Sequence, residues 1–131
     1  MTELEKTEKI TINLGPVDLG QIDLLVQEGF YSNRTDFIRT AIRTQLATHA
    51  EVVKRTVARK TLVLGVQYYT RRDLEKVRAA GEKLQINVLG LASIADDVSP
   101  ELAVETIDSV EVLGAFRASA AVKAALADRI R

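Results

Sequence analysis

The sequence predicts an α+β fold in two parts, and three observations lead to that expectation. Residues 8–14 read Glu-Lys-Ile-Thr-Ile-Asn-Leu, and from Lys9 onward polar and apolar residues alternate strictly, as is typical of a half-buried β-strand. Two amphipathic helical patterns follow this strand before residue 50. Residues 61–131 then show three units of a strand, a glycine and a short helix, at a spacing of roughly 25 residues.

The bulk composition limits the classes of function open to the chain. Its 131 residues include 18 basic and 18 acidic ones, and this balance argues against a protein that coats nucleic acid by charge alone. Cysteine is absent and His49 is the single histidine, which excludes disulfides, thiolate metal sites and histidine-rich metal sites. No long apolar run or leader pattern occurs, so we expect a cytoplasmic protein without a membrane span.

The first helix is expected to start after Gly15-Pro16, which ends the strand pattern. Asp18 is the predicted N-cap, because its carboxylate can accept the free N–H groups of the first turn, and Gln21 completes a capping-box pattern. Gly29 is expected to end the helix. The apolar face of this helix is predicted to contain Ile22, Leu25 and Val26.

The second helix is expected to be capped by Ser32 or Asn33, with Asp36 in its first turn. Its predicted buried stripe consists of Ile38, Ala41, Ile42 and, at its last position, Gln45 or Leu46. Neither glycine nor proline occurs from Phe30 to Leu64, so the helix is expected to continue through residues 51–60 as a stiff linker.

The strand of residues 8–14 lacks a neighbour in sequence, and a lone strand leaves unpaired backbone groups on both edges. The simplest partner is the same strand of a second copy, paired antiparallel about a two-fold axis. Its apolar residues would then pack on the helices, and its polar side chains would point outward: Lys9, Thr11 and Asn13. Such a ribbon fits the DNA major groove, where these residue types can hydrogen-bond base edges.

Residues 8–47 resemble the ribbon-helix-helix family of DNA-binding proteins, the CopG/Arc/MetJ group. The resemblance lies in the short alternating strand, the glycine turn and the second-helix sequence Ser-Asn-Arg-Thr-Asp-Phe-Ile-Arg-Thr-Ala-Ile-Arg. It implies an intertwined homodimer through residues 8–46 that binds double-stranded DNA, with base contacts from the outward polar side chains of the strand. It also implies phosphate contacts at the start of the second helix, from Ser32, Asn33 and Arg34.

Acidic residues stand beside this predicted ribbon. Glu3, Glu5 and Glu8 lie on the N-terminal side of the strand, close to where DNA is expected. Negative charge opposes phosphate, so they predict a modest affinity for non-specific DNA.

The triplet Val-Leu-Gly occurs at residues 63–65, 88–90 and 112–114. A strand-like run precedes each triplet, and a helix-start signal follows it, at Thr70, Ser99 and Ser119. We expect parallel strands with the helices on one face, loosely similar to leucine-rich-repeat-like solenoids. A compact three-stranded α/β sandwich is the alternative. The glycines of the triplets are interpreted as turn residues: Gly65, Gly90 and Gly114.

The predicted domain layout is a DNA-binding domain at 1–50, a helical linker at 51–60 and a three-repeat domain at 61–131. Open strand edges favour an oligomerisation or partner-docking role for the last domain, with a small-molecule sensor as the alternative. Asp96-Asp97 is interpreted as a solvated turn, so we expect neither catalysis nor a cofactor.

The expected function is sequence-specific transcriptional regulation, with repression as the expected mode, in a bacterial or archaeal cytoplasm at the nucleoid. Two alternatives remain open at this point. One is the antitoxin of a toxin–antitoxin pair, whose toxin-binding segment is usually disordered alone. The other is a DNA-associated architectural or scaffold protein that assembles through its repeats.

Overall fold

A computed structural model describes residues 7–131, which divide into two compact units at residues 7–55 and 56–131. The elements are α1 (Pro16–Gln27), α2 (Arg34–Thr48), α3 (Ala50–Lys60), β1 (Val63–Tyr69), α4 (Arg71–Ala79), β2 (Leu84–Ile94), α5 (Pro100–Thr106), β3 (Ile107–Arg117) and α6 (Ala120–Ala125). Helices and a parallel sheet together confirm the α+β class. Glu3 and Glu5 lie outside the described residues. Among residues 7–131, no helix combines the length and the hydrophobicity that a membrane span needs.

Helix α1 begins at Pro16 with Gly15 as its N-cap, so the predicted cap at Asp18 is wrong. Proline suits the first helical position, because its φ is already helical and its missing N–H would have no partner there. This early start places Asp18 inside the first turn instead of before it. Gly29 follows the helix with a φ of +87°, as expected for a glycine that ends a helix.

Helix α2 is capped by Asn33, whose side chain accepts a 2.8 Å hydrogen bond from the backbone N–H of Asp36. The predicted continuous helix to residue 60 is interrupted at His49. The His49 N–H donates to the Leu46 carbonyl, three residues back, which closes a tighter turn than the α-helical bond. Helical bonding resumes at once, because Val53 donates to the His49 carbonyl at 3.1 Å.

The three strands form one parallel sheet in the order β1-β2-β3, and the Val-Leu-Gly triplets lie side by side in it. Gly65, Gly90 and Gly114 therefore lie within strands, and their interpretation as turn residues is wrong. The cause is a close backbone approach. A Cβ at Gly90 would stand 2.2 Å from the Gly65 carbonyl oxygen, and one at Gly114 would stand 2.1 Å from that of Gly90.

The helices after the sheet strands share one core with the sheet. The serine and threonine caps occur as predicted, since Thr70, Ser99 and Ser119 each accept a backbone N–H at 3.1 Å. Fully buried side chains from α4, α5, α6 and the strands form this core, among them Leu74, Ala103, Val122, Ile86 and Val110. The predicted parallel strands are present, and all three helices contribute side chains to the core of the sheet.

The C-terminal segment lies along part of the outer edge of β3. The Val110 N–H donates to the Arg129 carbonyl at 2.9 Å, and the Arg131 N–H donates to the Val110 carbonyl at 2.8 Å. The Arg129 guanidinium also donates to the carbonyls of Val104 and Ile107, both at 2.7 Å. Arg129 therefore ties this segment to the end of α5 and the start of β3.

Candidate nucleic-acid interface

The predicted ribbon segment belongs to no helix and no strand of the single chain over residues 7–15. Lys9, Thr11 and Asn13 are all exposed, at alternate positions. Pairing with a second copy cannot appear in one chain, so the strand and its base-reading role remain predictions.

The unit at residues 7–55 leaves most of its large apolar side chains in solvent. Ile10 is 76% exposed, Ile12 59% and Leu14 41%. The predicted buried stripe of α2 is wrong for the single chain, where Ile42 and Leu46 are exposed. Within residues 7–55, Ile22 alone is buried. One buried side chain is too small a core for a unit of this size, so its apolar surface requires a partner.

The N-terminus of α2 holds the residues predicted to contact phosphate, together with the carboxylate of Asp36, which the sequence placed in the same first turn. The Ser32 N–H donates to Asp36 Oδ2 at 2.9 Å, while Asn33 Oδ1 accepts the Asp36 N–H. Asp36 thus holds negative charge where the helix dipole favours an anion. The predicted phosphate site already contains an anionic group of the protein itself.

Arg34, the third predicted phosphate contact, is bound to Asp23 of α1. Its Nε donates to Oδ1 at 2.7 Å and its Nη2 donates to Oδ2 at 2.8 Å. This bidentate arrangement is typical of arginine with a carboxylate. The hydrogen bonds from Arg34 hold the pKa of Asp23 below its usual value. A guanidinium has five N–H donors, so donors beyond these two remain for a phosphate.

Sequence reasoning assigned Arg34 to phosphate without its carboxylate partner. The available signal was a pair of opposite charges on either side of the Gly29 turn. Their meeting depends on the angle between α1 and α2, which sequence alone does not give.

A shallow cleft in the second unit lies where β1 and β2 end, with a volume of about 480 Å³. Arg71, on its wall, lies 3.6 Å from the Glu75 carboxylate and 3.9 Å from that of Asp97. Asp96 and Asp97 are exposed in a turn, as predicted. Across residues 7–131, no group of three or more acidic or histidine side chains could hold a metal ion. The cleft wall is therefore a set of exposed ion pairs without an organised site.

Comparison with known proteins identifies a family whose model matches most of the chain. The model of the ribbon-helix-helix transcriptional regulator family matches residues 5–123. The match extends well beyond residues 8–47 and covers most of both compact units. No curated protein and no solved structure matches the chain.

Proposed function

Because the chain belongs to the ribbon-helix-helix transcriptional regulator family, we propose that it is a homodimeric, sequence-specific DNA-binding repressor. The observation that carries this proposal is the exposure of Ile10, Ile12 and Leu14 in the single chain. These residues alternate with polar ones, so their burial by a partner turns every polar side chain between them to the opposite face.

The proposed reading head is an antiparallel ribbon made of residues 8–14 from two chains. Its apolar side covers the exposed faces of α1 and α2, which supplies the core that the single chain lacks. Its polar side enters the major groove, which is about 12 Å wide and admits a two-stranded ribbon. Lys9 can donate to guanine acceptors, Asn13 can pair with adenine, and Thr11 can contact either base edge or the thymine methyl group.

The proposed phosphate contacts come from Ser32, Asn33 and Arg34. Asp23 orients the Arg34 guanidinium, whose other N–H donors then serve a phosphate oxygen. The Asp36 carboxylate opposes this contact. We therefore propose that these phosphate contacts fix the register of the dimer and add affinity that does not depend on sequence and is reduced by Asp36, so that specificity depends mainly on the ribbon.

Residues 61–131 are proposed to join copies of the chain or to dock a partner. This unit keeps large apolar side chains in solvent, including Leu64, Val66, Tyr68 and Leu113. It also has a buried core of its own. That core favours a regulator over an antitoxin, whose toxin-binding segment is expected to be disordered alone.

Selection of bound duplexes from a random DNA pool tests the proposal. We expect enrichment of a two-fold symmetric site, as the symmetry of the dimer requires. The variant with alanine at Lys9, Thr11 and Asn13 should bind that site no better than random DNA. The matched control Lys83→Ala removes an exposed basic residue of the second unit and should bind normally. A triple variant with unchanged site affinity, or a pool without enrichment, contradicts the proposed function.

A further inference from the structure

Strand β1 is an edge strand without the usual protection of an edge. Within residues 7–131, no strand lies beside it opposite β2. Its sequence, Val-Leu-Gly-Val-Gln-Tyr-Tyr, contains neither charge nor proline, the features that commonly protect edges. Leu64 is 67% exposed, Val66 52% and Tyr68 53%. An apolar edge of this kind is suited to accept a further strand.

The opposite edge of the sheet differs, because the chain itself covers part of it. The backbone of Arg129 and Arg131 bonds to Val110 of β3. This cover reaches β3 at Val110 only, but along the side of β1 away from β2 the described residues provide no backbone cover at any position.

Gly65 supplies a second indication. At Gly90 and Gly114, the neighbouring carbonyl oxygen occupies the place of a side chain. Gly65 has the same kind of backbone, with a φ of +131°, yet no described atom lies within 4 Å of a Cβ placed there. A glycine inside a strand often marks the close approach of another backbone, and no described residue fills the space beside Gly65.

We propose that β1 pairs antiparallel with β1 of a second copy of this chain, about a two-fold axis at Val66. Val66 is the middle residue of Val63–Tyr69, so this register pairs the whole strand with itself. It sets Leu64 opposite Tyr68, an aliphatic–aromatic pair of the kind that stabilises sheets. It also sets Gly65 opposite Gln67, so that the Gln67 side chain faces a residue without a side chain.

A second copy is the fitting occupant for two reasons. The strand is uncharged and complementary to itself, whereas it offers a charged peptide no counter-charge. The second reason is the size of the surface. The few exposed side chains of β1 offer less area than the roughly 800 Å² per partner that stable interfaces bury, so the partner must be held nearby by another contact. A copy tethered through residues 8–46 is present at an effective concentration near the millimolar range, at which a small interface forms. The inference thus rests on the proposed dimer and deepens the docking role of residues 61–131.

The absence of cysteine makes disulfide trapping a direct test. We expect full-length Val66→Cys to form a covalent dimer on mild oxidation, because facing residues of an antiparallel pair lie within the roughly 4.4–6.8 Å Cα separation of disulfides. The control is Leu113→Cys, a similarly exposed residue on β3. Its yield should be lower by roughly tenfold or more, since its thiols meet only by collision.

A second pair of variants tests the register. Leu64→Cys and Tyr68→Cys should each cross-link poorly alone. In this register the Leu64 residues of the two copies are offset by four positions, and so are the two Tyr68 residues, which separates each pair by roughly 13 Å along the strands. Refolded together, they should form the mixed disulfide. Cross-linking of each variant with itself, without the mixed product, overturns the pairing at Val66.

Sedimentation and DNA binding of reduced Val66→Cys separate the two hypotheses. A variant that dimerises and binds DNA, yet cross-links no better than Leu113→Cys, overturns the β1 pairing and leaves the proposed function intact. Protection of β1 amides from hydrogen exchange without cross-linking assigns the edge to another occupant and also overturns it. A monomeric chain that binds no DNA contradicts both.

Discussion

Arg34 binds Asp23 through two nearly equal N–H···O bonds of 2.7 and 2.8 Å, and this pair ties the start of α2 to α1. The first turn of α2 and the proposed phosphate contact therefore depend on a residue of the preceding helix. The pair is exposed on both sides, so its importance lies in orientation more than in stability.

Replacement of Arg34 by alanine should weaken binding to all DNA sequences alike. Removal of one phosphate contact lowers the slope of log affinity against log salt by about one, whereas removal of a base contact changes sequence preference. Arg34→Lys keeps the charge and loses the two-pronged bond to Asp23. Its salt slope should stay near wild type while its affinity falls. Titrations at several salt concentrations measure both quantities, and a changed preference among operators would contradict the phosphate role.

The Asp23 pair predicts an acid dependence of stability. Arg34 lowers the Asp23 pKa in the folded chain, so the unfolded state binds the proton more readily. The contribution is complete above the unfolded pKa of about 3.9 and is lost as pH falls through the lower folded value. Denaturant midpoints of Asp23→Asn should therefore show a shallower acid decline than wild type. An identical decline in the two proteins would show that the pair contributes nothing to stability.

Replacement of Asp36 by asparagine should strengthen DNA binding. Asparagine can still accept the Ser32 N–H through its side-chain oxygen, while the negative charge at the α2 N-terminus disappears. Removal of one negative charge at a helix N-terminus should raise the affinity for DNA about two- to fivefold at low salt. Binding to a random duplex measures it. Asp18→Asn removes the same charge from the first turn of α1 and is the control. Unchanged affinity in Asp36→Asn would place DNA away from this helix end.

Two glycine substitutions should change the free energy of unfolding in opposite directions. Gly90→Ala brings a Cβ against the Gly65 carbonyl at a positive φ and should destabilise the second unit by about 3 kcal/mol or more. Gly20 lies in the interior of α1, and apart from its chain neighbours and the backbone of the same helix no described atom lies within 4 Å of a Cβ placed there, so Gly20→Ala should stabilise by about 0.5–1 kcal/mol. Denaturation at fixed protein concentration compares them. A tolerated Gly90→Ala would refute the close-approach explanation.

The sequence predicted what local chemistry decides. Thr70, Ser99 and Ser119 were identifiable as caps because a hydroxyl before a helical pattern satisfies N–H groups of the same turn. The same local rule made Asp18 the predicted cap of α1, and this prediction is wrong. Pro16, two residues earlier, is itself a helix-start signal, and with the helix starting there Gly15 is the cap. Local rules thus give helix ends well unless two start signals overlap.

Non-local contacts account for what the sequence did not reveal. The positions of Gly65, Gly90 and Gly114 within strands follow from backbone packing between residues about 25 positions apart, which a local glycine rule cannot detect. The bonds of Arg129 to Val104 and Ile107 likewise cross more than 20 positions. At the candidate interface, the alternation of residues 8–14 gave the polar residues. Whether they meet DNA depends on a second chain.

Ile22 is the one buried residue within residues 7–55, and this makes the amount of active protein depend steeply on chain concentration. In the proposed dimer, folding of the reading head and association of two chains are one event, because neither chain has a sufficient core alone. At low abundance, the amount of competent protein then rises with the square of chain concentration. A modest change in synthesis or degradation would alter operator occupancy more than proportionally, so the cell could set the output of this regulator by its copy number, without a small-molecule signal.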